Sequence, residues 1–564
     1  MNVSLIGAEL EENLGLRYIA SSLIRVGHTA ELVPFNFSSD MPTVIRAVKE
    51  QSPDLVCLSM VFTIRGREFC TLATSLREAG CKGHINAGGP FASFNAENLL
   101  RDFPAFDSIA LGEGEILVPK LAENLTSPEK VAGLCYRAKD GSIKKTAGNS
   151  NEENLDLIPF PLRTTFPVYF DAAIASLLSS RGCWRNCAFC SINAWYSRLD
   201  AKKFRVRSVG NITEEMKDLY HNHGVKIFNF QDDNFFLPDK DKALERFKDL
   251  RDSLRKAGVG QIAIAIKARP DSITKESVAV LRDLGLFRVF LGVENGCENG
   301  LANLNRKQTV EDNHRALDII NDADVHVAFN YLLFEPDTTL DHIATNLLFM
   351  ERHLENPFNF CRAEIHACTG LEDKLKREGL LLGDYFRPDY RIKDPRSEVF
   401  HQIANYAFFD RNFNDEGLHY FNMQIDFYSH LLGIFYPTVQ SKSLRAACRN
   451  FIRRTNLDSY MRLCQIYDFI ESVNPKDQES IRGFSEELRY GVDTASRELR
   501  DEGEQIQAWL IQAFRNRDSG KKSVQGFFPV AGISAMPGSA GPMLAGLNPS
   551  YPIPYTDFCN QSFR

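Results

Sequence analysis

The chain has 564 residues, 44% of them hydrophobic and 25% charged, with a formal net charge of −7. At roughly 150 residues per domain this length predicts two to four domains, and the composition excludes a chain disordered throughout. The small charge implies no polyanionic partner, and no run reaches the ~18 uninterrupted apolar residues a membrane span needs. In chain order, residues 3–6, 30–33, 55–59, 84–87 and 108–111 read as strands. The segments between them carry helical spacing, for example Leu16, Ile19, Ala20, Leu23 and Ile24. This alternation predicts a doubly wound, Rossmann-like α/β domain over residues 1–130. Ligands of such sheets sit beyond the carboxyl ends of the strands. Those ends hold Glu12, Asn13 and Gly15, then Ser59, Met60 and Val61, then Gly88 and Gly89, then Gly112, Glu113 and Gly114.

Residues 131–171 read as a hairpin, with Asp140-Gly141 as a two-residue turn, followed by a linker rich in Asn and Pro. Alternation restarts over residues 172–394, with strands predicted at 173–178, 226–231, 262–267, 288–293, 326–333 and 362–366. Six βα units fit a partial (β/α)6 barrel, a fold that places chemistry in the loops after its strands. Residues 395–516 are helical and rich in aromatics, which predicts a helical domain with an aromatic core of its own. The segment 517–564 is a Gly/Pro-rich apolar tail, uncharged from 523 to 556, and is expected to fold back along the body.

The first residues lack a basic region followed by a long apolar run, so no signal peptide is expected. Thirteen cysteines is an odd count. Together these predict a reducing, cytoplasmic setting, with most cysteines present as thiols. Cys183, Cys187 and Cys190, at spacing Cys-x3-Cys-x2-Cys after the first barrel strand, stand apart. Three thiolates suit a structural zinc with a further ligand, an electron-transfer cluster with a distant fourth ligand, or a 4Fe–4S cluster with one open iron. Cys361 and Cys368 read as buried thiols, and Tyr331 as a barrel-core aromatic.

The motif Cys183-Trp184-Arg185-Asn186-Cys187-Ala188-Phe189-Cys190 resembles the signature of the radical S-adenosylmethionine (SAM) superfamily. Downstream matches are Asp232-Asp233-Asn234-Phe235, Lys267-Ala268-Arg269-Pro270-Asp271, Gly292-Val293-Glu294-Asn295-Gly296 and Phe334-Glu335-Pro336-Asp337-Thr338-Thr339. The resemblance implies that Cys183, Cys187 and Cys190 ligate a 4Fe–4S cluster and that SAM chelates its open iron. It places Phe189 near the adenine and assigns Asp232, Arg269 and Glu294 to the SAM pocket. The N-terminal half resembles the cobalamin-binding domain of the subfamily that joins that domain to a radical SAM barrel. The stretches carrying this likeness are Glu12-Asn13-Leu14-Gly15, Pro53-Asp54-Leu55-Val56, Gly88-Gly89-Pro90 and Gly112-Glu113-Gly114-Glu115; the resemblance assigns the strand-end groups named above to the cobalamin site. Leu10 and Glu12 stand where cobalamin proteins with a histidine ligand carry Asp and His, so base-off binding without that ligand is expected.

These resemblances imply a C-methyltransferase acting on an unactivated carbon of a secondary metabolite, lipid or peptide through a 5′-deoxyadenosyl radical and methylcobalamin. A non-methylating oxidation, cyclisation or rearrangement, and a cobalamin- or metal-sensing module, are the competing readings. The expected partners are a small-molecule or peptide substrate and an electron donor such as flavodoxin or ferredoxin. Neither nucleic acid nor a membrane span is expected. No residue is assigned as the catalytic acid, base or nucleophile.

Overall fold

The computed structural model describes residues 1–149, 151–199, 201–414 and 417–517. The predicted course of the apolar tail lies outside them. The chain forms two compact units. The first comprises Met1–Phe166, Ala175–Met216 and Ile365–Tyr390, and the second comprises Pro167–Ile174, Lys217–Glu364 and the described residues from Arg391 on.

The first unit is built on a seven-stranded sheet in the order β2-β1-β3-β4-β5-β6-β7. Its strands are β1 (Asn2–Gly7), β2 (Thr29–Pro34), β3 (Leu55–Ser59), β4 (His84–Gly88), β5 (Ser108–Ala110), β6 (Leu134–Arg137) and β7 (Ile143–Lys145). The first five run parallel. Successive side chains of a strand point to opposite faces, and here both faces are covered. Leu55 and Cys57 therefore enter one apolar core while Val56 and Leu58 enter the other. The helix Leu14–Arg25 lies close to the helix Gly114–Glu123, because a Cβ on Gly114 would stand 2.5 Å from Ile19 Cδ1.

Two features depart from the sequence expectation. The hairpin extends the sheet, since β6 pairs antiparallel with β5 and β7 with β6. Its turn has three residues rather than two: Ala138 N–H donates to Ser142 O, Gly141 N–H donates to Ala138 O, and Gly141 takes φ 82°. That is a type I turn closed by a left-handed glycine. The second departure is the segment Ile365–Tyr390, placed in the barrel from sequence. Phe386 joins the first unit's core, packing on Phe91 and Phe103 at 5.7 and 5.9 Å between ring centres.

The second sheet has the order β16-β15-β14-β13-β12-β9-β8. Its strands are β8 (Val168–Tyr169), β9 (Ala172–Leu177), β12 (Val225–Phe230), β13 (Ala263–Ala268), β14 (Leu286–Leu291), β15 (His326–Phe334) and β16 (Phe358–Arg362). A two-stranded ribbon, β10 (Ser180–Gly182) with β11 (Phe204–Val206), belongs to the first unit. From β12 to β16 the strands are parallel, as in a half-barrel. The last strand begins four residues earlier than 362–366. The alternating run Phe358-Asn359-Phe360 pairs with Phe329-Asn330-Tyr331, and the polar residues after it form the loop.

Among the described residues beyond 391 the helices are Pro395–Phe413, Leu418–Phe435, Lys442–Ser472 and Gln478–Arg515. They do not keep an aromatic core to themselves. Phe427 packs on Tyr169 and Phe287 of the sheet at 5.7 and 5.3 Å between ring centres, and Leu431, Phe451 and Leu499 join the same cluster. No helix among the described residues is long and apolar enough to cross a membrane.

Candidate functional site

In the first unit the three-cysteine loop is set by the backbone before it. Gly182 takes φ 81° opposite Phe204 in the ribbon, and a Cβ there would sit 2.0 Å from Lys203 O. Only glycine fits that close approach. The loop turns through Cys190 N–H donating to Cys187 O at 3.3 Å, and Cys190 begins the helix Ser191–Arg198. Leu371 N–H donates to Ala188 O at 2.8 Å, tying the loop's outer strand of backbone to the segment that returns late in the chain. Cys187 is buried, Cys183 and Cys190 are half-buried, and all three are free of disulfides. Phe189 is half-buried beside them. Three unbridged thiols on one short loop are a donor set that fits an iron–sulfur cluster.

This loop is fastened to the carboxyl edge of the first sheet by buried ion pairs. Arg181 donates to Glu115 Oε1 at 2.5 Å and lies 3.3 Å from Glu113 Oε1. Arg205 of β11 donates to both oxygens of Glu113, and the Tyr196 hydroxyl donates to Glu113 Oε1 at 3.1 Å. Burial by itself would raise the Glu113 carboxyl. Arg181 and Arg205 more than offset it and hold the group below the usual carboxylate range. A second network starts at Glu12. Its oxygens accept from Arg163 at 2.7 Å and from the backbone N–H of Ser176 at 2.6 Å, while Arg163 also donates to Glu215 at 3.0 Å. Glu215 accepts from Arg207 at 2.6 Å.

The other residues read as a corrin rim fall into groups. Asn13 caps the helix that Gly15 enters, accepting from Leu16 N–H at 3.2 Å. Ser59 and Gly88 end β3 and β4. Gly89 takes φ 94°, and a Cβ there would stand 2.8 Å from Met60 O. Met60 is buried, whereas the neighbouring Val61 is exposed. Gly112 backs onto Leu199, and Gly114 begins its helix. Close to this edge lies a cavity of about 320 Å³ whose lining includes Ser93, Phe94, Leu111, Thr146, Asn149 and Trp195. Bare strand ends, a side-chain-free turn at Gly89 and an exposed Val61 fit a flat apolar ligand approaching from the carboxyl edge.

In the second unit the residues read for SAM stand after successive strands. Asp232 follows β12 and is fully buried. Arg269 follows β13, donates to Asp271 at 2.9 Å and to Arg306 O at 2.6 Å. Glu294 follows β14 and takes φ 63°, a left-handed conformation uncommon for a residue with a Cβ, while bridging to Tyr331. Its carboxylate lies 3.6 Å from Arg306 Nη1. Burial raises the Glu294 carboxyl more than Arg306 and Arg269 lower it. The structure thus gathers Arg269 and Glu294 around Arg306. Arg306 is not among the residues that the sequence singles out. Its spacing of twelve residues from Glu294 carries no signal, and only the fold brings it back to donate to Gly292 O at 2.6 Å. Tyr331 is a core residue as read, its hydroxyl donating to Asn346 Oδ1 at 2.7 Å.

The profile of the B12 binding domain matches residues 8–122, and that of the Radical SAM superfamily matches residues 177–346. An uncharacterized methyltransferase of Pyrococcus horikoshii is 24% identical over 397 residues, 69% of this chain and 83% of the relative. The hopanoid C-3 methylase of Methylococcus capsulatus is 28% identical over 334 residues, 58% of this chain and 61% of the relative. Among solved structures, the cobalamin-dependent SAM radical enzyme OxsB, with aqua-cobalamin and SAM bound, superposes with a TM-score of 0.64 at 17% identity. It covers 92% of this chain and 84% of OxsB, a likeness of fold.

Proposed function

Because the chain belongs to the radical SAM enzymes that carry a cobalamin-binding domain, and so takes a 4Fe–4S cluster, SAM and cobalamin, we propose that it is a C-methyltransferase. The substrate is an unactivated carbon of a secondary metabolite, lipid or peptide. One observation supports this reading: the cysteine loop and the carboxyl edge of the first sheet share one compact unit, joined by Arg181, Arg205, Glu113 and Glu115. A methyl donor and a radical source must act on the same carbon, and that demands rigid placement of the two. The relatives named methyltransferase and methylase support the same choice.

Bound there, the cluster supplies the electron that cleaves SAM, and cobalamin carries the methyl group. The chain's own part is binding, orientation and exclusion of water. Cys183, Cys187 and Cys190 would provide three thiolates to the cluster. As the resemblance assigns them, Asp232, Arg269 and Glu294 would hold SAM's polar groups and Phe189 would serve its adenine. Glu12, Asn13, Gly15, Ser59, Met60, Val61, Gly88, Gly89, Gly112, Glu113 and Gly114 shape the corrin rim. Glu12 and Glu113 do so by bracing the backbone, because their carboxylates are spent on arginines. With Glu12 in place of a histidine, this chain would supply no imidazole to cobalamin, and exposed Val61 would offer an apolar surface to it. Nitrogen splitting in the electron paramagnetic resonance spectrum of the bound cob(II)alamin would contradict that. A flavodoxin- or ferredoxin-type donor supplies electrons in the cytoplasm.

The deciding experiment needs no substrate. The anaerobically reconstituted holoenzyme is given SAM and a reductant. Methylation predicts S-adenosylhomocysteine and methylcobalamin on the protein. Formation of 5′-deoxyadenosine without either product would establish the non-methylating reading. Tight corrin binding with no SAM cleavage at all would indicate a sensing module.

A further inference from the structure

His326 opens β15 at its amino end, whereas the SAM-side residues follow the carboxyl ends of the strands. Nine residues of strand separate the two ends by roughly 26 Å. Asp426 and His430 lie one turn apart on the helix Leu418–Phe435, so both project from one face. The three side chains converge. His326 Nδ1 hydrogen-bonds Asp426 Oδ2, and His430 Nδ1 lies 3.1 Å from Asp426 Oδ1. One donor atom from each residue lies within 4.8 Å of the other two.

The surroundings narrow what this cluster can be. His326 and Asp426 are buried, and His430 is only 16% exposed at its side chain. The Nε2 of His326 is buried with no hydrogen-bond partner. That nitrogen diverges from Nδ1 across the ring, so the atoms facing one point are His326 Nδ1, the Asp426 carboxylate and His430 Nδ1, the last also 2.9 Å from Asp426 O. Asp324 is committed elsewhere, to Arg445 and Arg449. Arg288, in register with His326 on the neighbouring strand, lies with its guanidinium 5.8 Å from the centre of the Phe427 ring.

We infer that His326, Asp426 and His430 form a structural site for a divalent metal of the zinc class, which fastens the helical bundle to the base of the half-barrel. Two imidazoles and a carboxylate are a zinc donor set, with water completing four-coordination from the side of His430. The set contains no thiol, which separates it chemically from the cysteine loop.

The test measures zinc in the full-length protein after zinc supplementation and removal of free metal. Zinc can also occupy three cysteines, so the variant with Cys183, Cys187 and Cys190 all changed to Ala is measured beside the wild type. A stoichiometric zinc that survives in the cysteine variant and is lost in His430→Gln supports the site. Zinc that disappears with the cysteines and is unmoved by His430→Gln overturns it, as does failure of the cysteine variant to bind zinc in excess. Should His430→Gln not fold, cobalt(II) loaded into the cysteine variant decides: tetrahedral ligand-field bands support the site, and their absence overturns it.

Discussion

Glu113 and Glu294 are both carboxylates with little side-chain exposure, 8% and 16%, beside two arginines, yet the balance falls on opposite sides. At Glu113, Arg205 and Tyr196 donate directly and Arg181 stands close by, so the arginines overcome burial and the group is held ionised. At Glu294 the nearest guanidinium nitrogen is 3.6 Å away, the backbone is left-handed, and burial prevails. A carboxylate with all its charge already matched is a brace. One whose ionisation the fold opposes is poised to gain from a cationic or donor group brought by a ligand. In the first unit Glu113 is therefore committed to fastening the cysteine loop, whereas in the second unit the charge of Glu294 is less fully matched.

Four experiments break or sharpen this contrast. The largest effect belongs to the cysteines: Cys187→Ala abolishes SAM cleavage, measured as 5′-deoxyadenosine, and leaves cobalamin retention intact. Loss of both would mean that the sheet edge cannot hold a corrin without the cluster. Next, Glu113→Gln leaves buried guanidinium charge unmatched and costs about 3–5 kcal/mol of stability, read by denaturant unfolding. Its pH signature follows from the depressed carboxyl. The stabilisation is complete above the ordinary value of 4.5 and is lost as pH falls through the folded-state value.

Glu294→Gln has the opposite signature. The raised carboxyl makes ionisation costly in the folded state, so wild-type stability declines as pH rises from 4.5 through the folded-state value, and the variant lacks that decline. Stability at neutral pH holds or rises, while SAM binding weakens by about tenfold, the worth of one charge-assisted hydrogen bond. A stability loss matching that of Glu113→Gln would erase the distinction between the two rims. The smallest effect is at the hairpin. Gly141→Ala forces a side chain into the left-handed turn and costs about 1 kcal/mol, with SAM cleavage unchanged.

Local patterns carried much of this structure. The strands from β1 to β5 and from β12 to β15 are legible because apolar runs alternate with helical spacing, and Cys183, Cys187 and Cys190 are close in sequence. What was missed depends on long-range closure. β16 was displaced because Arg362-Ala363-Glu364-Ile365 continues an alternating pattern, and only pairing with β15 shows where the strand stops. The ion-pair partners of Glu12 and Glu113 lie up to 151 residues away. Arg306, and the pairing of His326 with an Asp 100 residues later, have no local trace.

The interleaving of the two units bears on how the chain is made. Residues 365–390 complete the first unit, and Phe386 fills its core against Phe91 and Phe103. A ribosome that has synthesised the whole N-terminal sheet has therefore not yet supplied every part of that unit's interior. The sheet must wait, with an apolar notch uncovered, while the intervening half-barrel strands emerge. Truncations that stop before residue 390 will lack this plug, so an isolated corrin-binding fragment calls for a grafted substitute rather than a simple cut.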